Sequence, residues 1–241
     1  MNLFSVAQQY KILCLHGGGG TAESFRNAIT AIENALPNFE FVYANGGYGS
    51  PDGYLWMSDP PGGKDNPTTD PGWADDSIDI LDNIRTSQGP FHGIMGYSQG
   101  AAFVSVYLSR VPDDTFQFAA TFCGYLPETH LGIMGVVNDS SPFDGINHLV
   151  WMGEQDSIIS NAMTLGMAAI YTNPNVVTSS VAGHYPPGTS DPTFSSVISW
   201  IEGSVDNDSP TSSPIILPPP QDHLYQSLKA LNQRHHQPPH P

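Results

Sequence analysis

The sequence is poor in basic residues. It contains 7 Lys and Arg against 23 Asp and Glu among 241 residues, and its net charge is −16 at pH 7. A surface this acidic repels the phosphates of nucleic acids and of anionic lipids. We therefore expect no nucleic-acid partner, and a neutral small-molecule substrate rather than a highly anionic one.

Cysteine is also scarce, with only Cys14 and Cys123 in the chain. Each lies in an apolar run that is typical of a buried strand, where a free thiol behaves as a small hydrophobic group. Two cysteines do not build a disulfide framework. Because CxxC, HExxH and clustered Cys/His patterns are missing as well, we expect neither a metal nor a cofactor.

Long apolar segments are missing from the sequence too. No run approaches the roughly 18 residues that a membrane-spanning helix needs. The first residues also lack the basic segment and apolar stretch of a signal peptide. We expect a protein without a membrane partner and with a cytoplasmic location.

The chain does contain apolar runs that alternate with segments of helical periodicity. The predicted strands are 11–15, 39–44, 91–95, 116–123, 148–152 and 176–181. The predicted helices are 23–36, 73–85, 101–110, 158–169 and 193–201. This alternation, with nearly continuous apolar strands, predicts an α/β fold whose mostly parallel central sheet carries helices on both faces.

Two segments interrupt or follow this pattern. Residues 45–72 are rich in Gly, Pro, Asp and Asn, and we expect a long loop there, which is usually functional or mobile. Its large side chains could line a ligand cleft or pack the loop onto the core: Tyr48, Tyr54, Leu55, Trp56 and Met57. Residues 205–241 are rich in Pro, Ser and His, which predicts a disordered tail behind one domain of residues 1–204.

The strongest functional signal is Gly96-Tyr97-Ser98-Gln99-Gly100. It fits the G-x-S-x-G pattern, in which a serine on a sharp turn between a strand and a helix is exposed above the sheet. The predicted strand 91–95 precedes the motif and the predicted helix 101–110 follows it. The sequence therefore predicts Ser98 as a nucleophile.

A serine nucleophile needs a histidine base, and the histidine needs a carboxylate that orients it. In this type of fold the chain order is Ser, then Asp or Glu, then His, near the carboxyl ends of strands. Asp156 and His184 each follow a predicted strand and come after Ser98, so we predict them as the acid and the base. Other candidates by order are Asp144, Glu154, His130 and His148, of which Glu154 is the alternative acid.

An oxyanion hole needs backbone N–H groups that point at the developing charge. One is expected from Gln99, the residue after the nucleophile. The other is expected from Gly18, within His16-Gly17-Gly18-Gly19-Gly20, because glycines leave the backbone uncovered. We expect His16 to order this loop rather than to take part in the chemistry.

The motifs together resemble the FSH family of serine hydrolases, a group with fungal esterases, polyketide-releasing thioesterases and hydrolases related to ovarian-cancer-associated gene 2. The matching stretches are 13–17, 89–101, 152–156 and 182–186. The resemblance implies an α/β-hydrolase fold and the Ser98, Asp156 and His184 triad. Family members commonly carry an aromatic residue at the position of Gly18, a Gln at Gly20 and an Asp at His92, so this chain departs from the pattern there.

Three hypotheses about function follow. The first is an esterase that cleaves carboxylic esters with short to medium acyl chains. The second is an acyl thioesterase with the same triad, because acyl-protein thioesterases have a similar elbow motif. The third is a non-catalytic binding protein with a hydrolase fold. It is the weakest hypothesis, because the sequence contains candidates for all three triad residues in the expected order.

Overall fold

The computed structural model describes residues 9–63 and 66–205, and a parallel sheet of six strands forms its centre. The strands of this sheet are β1 (Tyr10–Leu15), β2 (Phe39–Ala44), β5 (Gly93–Tyr97), β6 (Phe118–Phe122), β7 (Asn147–Gly153) and β8 (Asn175–Ser179). Their order is β2-β1-β5-β6-β7-β8, and every neighbouring pair is parallel. The predicted α/β architecture is confirmed.

Helices pack on both faces of the sheet. They are α1 (Ala22–Ala28), α2 (Thr30–Ala35), α3 (Asp75–Gln88), α4 (Gln99–Leu108), α5 (Leu131–Ser140), α6 (Asn161–Ala168) and α7 (Phe194–Gly203). One face buries side chains of α1, α2 and α7 against Ile12, Cys14 and Trp151. The other face buries side chains of α3, α4 and α5 against Leu13 and Ile94. Successive strand residues point to opposite faces, which explains why the buried parts of these strands are apolar in consecutive positions.

The N-terminal helical segment has the expected length but is broken in the middle. In place of one helix over residues 23–36 there are two, which meet at Ile29 with φ −108° and ψ 17°. Helix α1 begins with a capping box, since Thr21 accepts a hydrogen bond from Ser24 N and Ser24 Oγ accepts one from Thr21 N. Phe25, Ile29 and Ile32 remain on one buried stripe, so the predicted amphipathic face is retained across the break.

Two elements were missed by the prediction. The segment 45–72 contains a hairpin of β3 (Tyr48–Ser50) and β4 (Gly53–Leu55), and α5 lies in a stretch that had no predicted element. Trp56 and Met57, directly after the hairpin, are fully buried. The packing interpretation is therefore correct for these two side chains, while Tyr54 is 39% exposed.

The predicted tail, residues 205–241, lies outside the described residues apart from its first residue. The domain boundary at residue 204 thus stays a prediction. Among the helices of residues 9–63 and 66–205, none combines the length and the hydropathy that crossing a bilayer would require.

Candidate active site

Ser98 lies on a tight turn between β5 and α4. Its backbone has φ 53° and ψ −118°, an uncommon conformation for a residue with a side chain, and such strain is concentrated at functional sites. The flanking glycines make the turn possible. A Cβ at Gly96 would lie 2.5 Å from Gly100 O, and a Cβ at Gly100 would collide with the backbone oxygens of Leu15 and His16. The structure thus confirms the predicted turn geometry.

The predicted acid and base meet this serine. His184 Nε2 lies 3.0 Å from Ser98 Oγ, and His184 Nδ1 lies 2.7 Å from Asp156 Oδ2. The side chain of His184 is 11% exposed and that of Asp156 only 1%. An ionised carboxylate can only accept hydrogen bonds, so Nδ1 carries the proton and Nε2 is free to accept the hydrogen of Ser98. Strand order and turn positions bring together three groups that are up to 86 residues apart.

Asp156 is held by the loop that follows β7. Its Oδ1 accepts hydrogen bonds from Ile158 N at 2.8 Å and from Ile159 N at 2.9 Å, while Oδ2 accepts the one from His184. Burial alone would raise the pKa of this carboxyl. The hydrogen bonds from His184, Ile159 and Ile158 outweigh burial and hold the pKa of Asp156 below its ordinary value. Asp156 is therefore ionised at neutral pH and oriented on both oxygens.

The alternative candidates lie elsewhere. Asp144 is exposed before β7, where it accepts a hydrogen bond from Gly145 N, and the side chain of Glu154 is exposed. His130 Nε2 lies 2.9 Å from Ser58 O. His148 Nε2 lies 2.9 Å from Thr121 Oγ1, and burial lowers the pKa of His148 to about 3. None of these four contacts Ser98 among the contacts of the described residues.

Gly18 and Gln99, the two residues expected to supply the oxyanion donors, are in contact beside Ser98. A Cβ at Gly18 would lie 3.3 Å from Gln99 Cβ, so the glycine loop and the start of α4 are in contact. Within the described part of the chain, no group accepts a hydrogen bond from the backbone N–H of Gly18 or Gln99. Two unused N–H groups next to a nucleophile are what an oxyanion hole requires.

The Gln99 side chain binds the backbone of the segment that follows β4. Its Oε1 accepts a hydrogen bond from Trp56 N at 2.8 Å, and its Nε2 donates one to Met57 O at 2.9 Å. Trp56 Nε1 in turn donates to His16 O at 2.7 Å. These bonds fix the segment after β4 against the glycine loop and the elbow. They are contacts that the sequence motif did not predict.

His16 orders the glycine loop, as we expected. Its Nε2 accepts a hydrogen bond from Gly46 N at 3.1 Å, and its Nδ1 lies 2.7 Å from Gly17 O. Nδ1 must therefore be the protonated nitrogen, because a carbonyl oxygen only accepts. The ring is fully buried, and burial lowers the pKa of His16, so it stays neutral and structural.

Two further residues of the site were not identified from the sequence. Tyr97, inside the elbow motif, donates a hydrogen bond from its hydroxyl to His184 O at 2.7 Å, and the two rings are 5.1 Å apart. Cys123, directly after β6, is buried next to Asp156 with φ 51°. Its position just past a strand's carboxyl end was the available signal, since such ends carry functional groups.

Cys123, Asp156 and His184 are also the group of described residues whose ligand atoms could hold a metal, since these atoms lie within 4.8 Å of one another. The chemistry of the donors fits this poorly. Burial, followed by the nearby Asp156 charge, raises the pKa of the Cys123 thiol to about 12, whereas a metal binds the thiolate. Asp156 and His184 already share a hydrogen bond, so the arrangement favours a Ser-His-Asp triad.

Comparison with known proteins agrees with this geometry. The sequence matches the family described as serine hydrolase (FSH1) over residues 4–193. Esterase CG5412 of Drosophila melanogaster is 26% identical over 202 residues, which cover 76% of this chain and 71% of the relative.

Solved structures give the same fold. The acyl-protein thioesterase 2 of Zea mays has a TM-score of 0.62 and 18% identity, with 83% of this chain and 95% of that chain covered. The Bacillus cereus carboxylesterase has a TM-score of 0.60 and 15% identity, with 82% and 90% covered.

Proposed function

The chain belongs to the serine hydrolase (FSH1) family, and we propose that it hydrolyses small carboxylic esters through an acyl-enzyme formed on Ser98. The observation that carries this proposal is the continuous chain of hydrogen bonds from Asp156 through His184 to Ser98, at 2.7 and 3.0 Å. Among its relatives, the insect proteins that match most of their length are named esterases. The reaction needs no cofactor.

In the acylation step Ser98 Oγ attacks the ester carbonyl carbon while His184 Nε2 takes the hydroxyl proton. The carbonyl oxygen becomes negatively charged and accepts hydrogen bonds from the backbone N–H groups of Gly18 and Gln99. Asp156 keeps the proton on Nδ1 of His184 and stabilises the imidazolium. The tetrahedral intermediate then collapses, the C–O bond to the alcohol breaks, and His184 returns its proton to the leaving oxygen.

The deacylation step repeats this sequence with water. His184 removes a proton from a water molecule, which attacks the acyl carbon bound to Ser98 Oγ. The same two N–H groups stabilise the second oxyanion. When the intermediate collapses, Ser98 recovers its proton from His184 and the carboxylic acid is released. Ser98, His184 and the two N–H groups thus act in both halves of the reaction.

The role of Ser98 is tested by covalent labelling. A fluorophosphonate reacts with serines that are activated by a neighbouring base. We expect the native protein to be labelled once, at Ser98, and Ser98→Ala to lose the label. The control is Ser105→Ala, which removes a buried hydroxyl of α4 that lies 2.8 Å from the Tyr171 hydroxyl. Labelling of another serine in the wild type would remove the basis of the proposed mechanism, and absence of labelling would support the non-catalytic alternative.

A thioesterase is the second candidate function. The similarity to the maize acyl-protein thioesterase supports it at the level of the fold. We expect acyl esters to be turned over faster than acyl thioesters of equal chain length, measured side by side with Ser98→Ala as blank. The opposite order would make the thioesterase the function of this chain.

The preferred acyl chain is also open to measurement. Each buried methylene contributes about 0.8 kcal/mol until a cleft is full. Trp56 and Met57 are packed into the core, so these two large apolar side chains are not available to enclose a long chain. We therefore expect kcat/KM on p-nitrophenyl esters to rise over short acyl chains and to fall at long ones. A steady increase up to palmitate would contradict this.

The cytoplasmic location and the lack of nucleic-acid and membrane partners stay predictions.

A further inference from the structure

A small cavity of about 120 Å³ lies between the glycine loop, α1 and Tyr97 of the elbow. Its walls are glycines of the loop after β1, the residues Ser24, Phe25 and Ala28 of α1, and the ring of Tyr97. Of these lining residues none carries a charged side chain. The walls are therefore mainly ring faces, a methyl group and uncovered backbone, which suits an uncharged, largely apolar group.

Two of the lining residues, Gly17 and Tyr97, adjoin the proposed triad. A Cβ at Gly17 would lie 3.4 Å from Ser98 Cβ and 2.9 Å from the Tyr97 ring, so the loop lies directly against the elbow. Tyr97, which also lines the cavity, is in contact with His184 through its hydroxyl and its ring. The cavity thus borders both the loop from which the oxyanion donor is expected and the residue that contacts the base.

This position suits the leaving group of the ester rather than its acyl part. The leaving oxygen must come close to His184 Nε2, because that atom returns the proton during acylation. We propose, on the basis of the proposed esterase function, that the cavity receives the alcohol portion of the substrate. The acyl part then extends from Ser98 in another direction, away from α1.

The volume indicates how much of the alcohol can be enclosed. A cavity of about 150 Å³ accommodates benzene, so one of 120 Å³ has room for about four or five non-hydrogen atoms. The substrate class is therefore an ester of an uncharged alcohol of which about as many atoms as in butanol are enclosed, and since the cavity is open on the side of Ala28, any longer part of the alcohol extends into solvent. A side chain at Gly20 would not fit in this wall, since its Cβ would approach Gly17 O to 2.9 Å and Ser24 Oγ to 3.1 Å.

The test fills the cavity from the outside. Ala28 is an exposed residue at the end of α1, and Ala28→Leu places a larger side chain at the cavity wall without touching Ser98, His184 or Asp156. Asn27→Leu is the matched control, because Asn27 is the preceding exposed residue of the same helix and does not line the cavity. Both variants are measured on two ester series, alkyl acetates from methyl to butyl and methyl esters from acetate to valerate.

We expect the wild type to prefer butyl over methyl acetate, since each buried methylene contributes roughly fourfold to kcat/KM. Ala28→Leu should affect the alcohol series alone: it lowers kcat/KM for butyl acetate by roughly tenfold and leaves that for methyl valerate within about twofold of the wild type. Asn27→Leu changes neither series. The unchanged methyl valerate rate also shows that the variant is folded.

Three results would overturn the assignment. They are an effect of Ala28→Leu on the acyl series instead, an equal effect of Asn27→Leu, and no effect of Ala28→Leu on either series. These results leave the esterase function intact, because the wild type still hydrolyses esters and Ser98→Ala does not. If the wild type hydrolyses no ester of either series, the proposed function fails and the assignment of the cavity fails with it.

Discussion

Asp156 and Asp191 are two carboxylates that are held in similar ways but have different neighbours. Each has one oxygen that accepts a hydrogen bond from a backbone N–H two residues ahead, from Ile158 in one case and from Thr193 in the other. For both, burial would raise the pKa, and hydrogen bonds outweigh it and lower the pKa instead. From the backbone alone the two sites would be hard to tell apart.

The two carboxylates differ in the partner of their second oxygen, Oδ2. Asp156 Oδ2 faces His184, whose other nitrogen reaches Ser98. Asp191 Oδ2 accepts a hydrogen bond from Ser179 Oγ, at the end of β8, at 2.6 Å. Asp191 Oδ1 also accepts one from Thr193 Oγ1, which itself accepts a hydrogen bond from Trp151 Nε1.

Asp191 therefore joins β7, β8 and the start of α7, while Asp156 orients an imidazole. The same local arrangement serves the scaffold in one place and, in the proposed mechanism, the chemistry in the other. What differs is the partner that the tertiary structure brings to the second oxygen.

The largest expected effect is the loss of turnover when Asp156 is changed. Asp156→Asn removes the acceptor that keeps the proton on His184 Nδ1, and we expect kcat to fall by about 10⁴-fold, as for comparable triads. The fold should stay intact at neutral pH, because the Asn oxygen can still accept from Ile158 N, and we expect only a modest fall in the melting temperature. Turnover and a melting curve check this. The control, Asp144→Asn, changes an exposed carboxylate and should be mild in both; a reversal of the two effects would show that Asp156 is not the acid.

The next largest effect is expected at Asp191, where a substitution should lower stability and leave turnover nearly unchanged. Asp191→Ala leaves Ser179 Oγ, Thr193 N and Thr193 Oγ1 without their acceptor, and we expect the free energy of unfolding to fall by roughly 1–3 kcal/mol. Urea titration measures this, with Asp144→Ala as the exposed control. Turnover per folded molecule should remain within about twofold of the wild type, because Asp191 does not contact the triad. A large loss of turnover with unchanged stability would mean that Asp191 has a part in the chemistry.

The smallest effect concerns acid stability. A carboxyl with a lowered pKa in the folded protein adds stability above its unfolded pKa of about 3.9, and this contribution is lost as the pH falls through the folded value. We therefore expect the difference in unfolding free energy between wild type and Asp191→Asn to shrink as the pH is lowered from about 5 to about 2. The same sign is expected for Asp156→Asn. A difference that stays constant over this range would show that the hydrogen bonds do not depend on ionisation.

Much of the candidate site could be predicted from the sequence because it depends on local geometry and on chain order. Gly96 and Gly100 on either side of Ser98 indicate a sharp turn, because a side chain at either position would collide with the backbone. The apolar runs before and after the motif place that turn between a strand and a helix. In a parallel sheet, the residues after each strand meet at one edge. Asp156 and His184 could therefore be chosen by position, and the structure brings both to Ser98.

Parts of the fold could not be predicted, for reasons of length and packing. Strands β3 and β4 have three residues each, too few to show a period, and β4 also pairs with the glycine loop at Gly20. Helix α5 contains Gly132, Gly135 and β-branched residues, which are weak helix formers. It is helical because Ile133, Met134 and Val137 pack into the core.

By itself, then, the sequence determined the parallel α/β architecture, the elbow at Ser98 and the order of the triad, since periodicity and turn chemistry act over a few residues. Only the tertiary structure decided the partners of each polar group. It placed Tyr97 against His184, Cys123 beside Asp156, and Asp191 among Ser179, Thr193 and Trp151. These contacts join strands and loops far apart in the chain, and their distances follow from the packing of helices on both faces of the sheet, which no local pattern records.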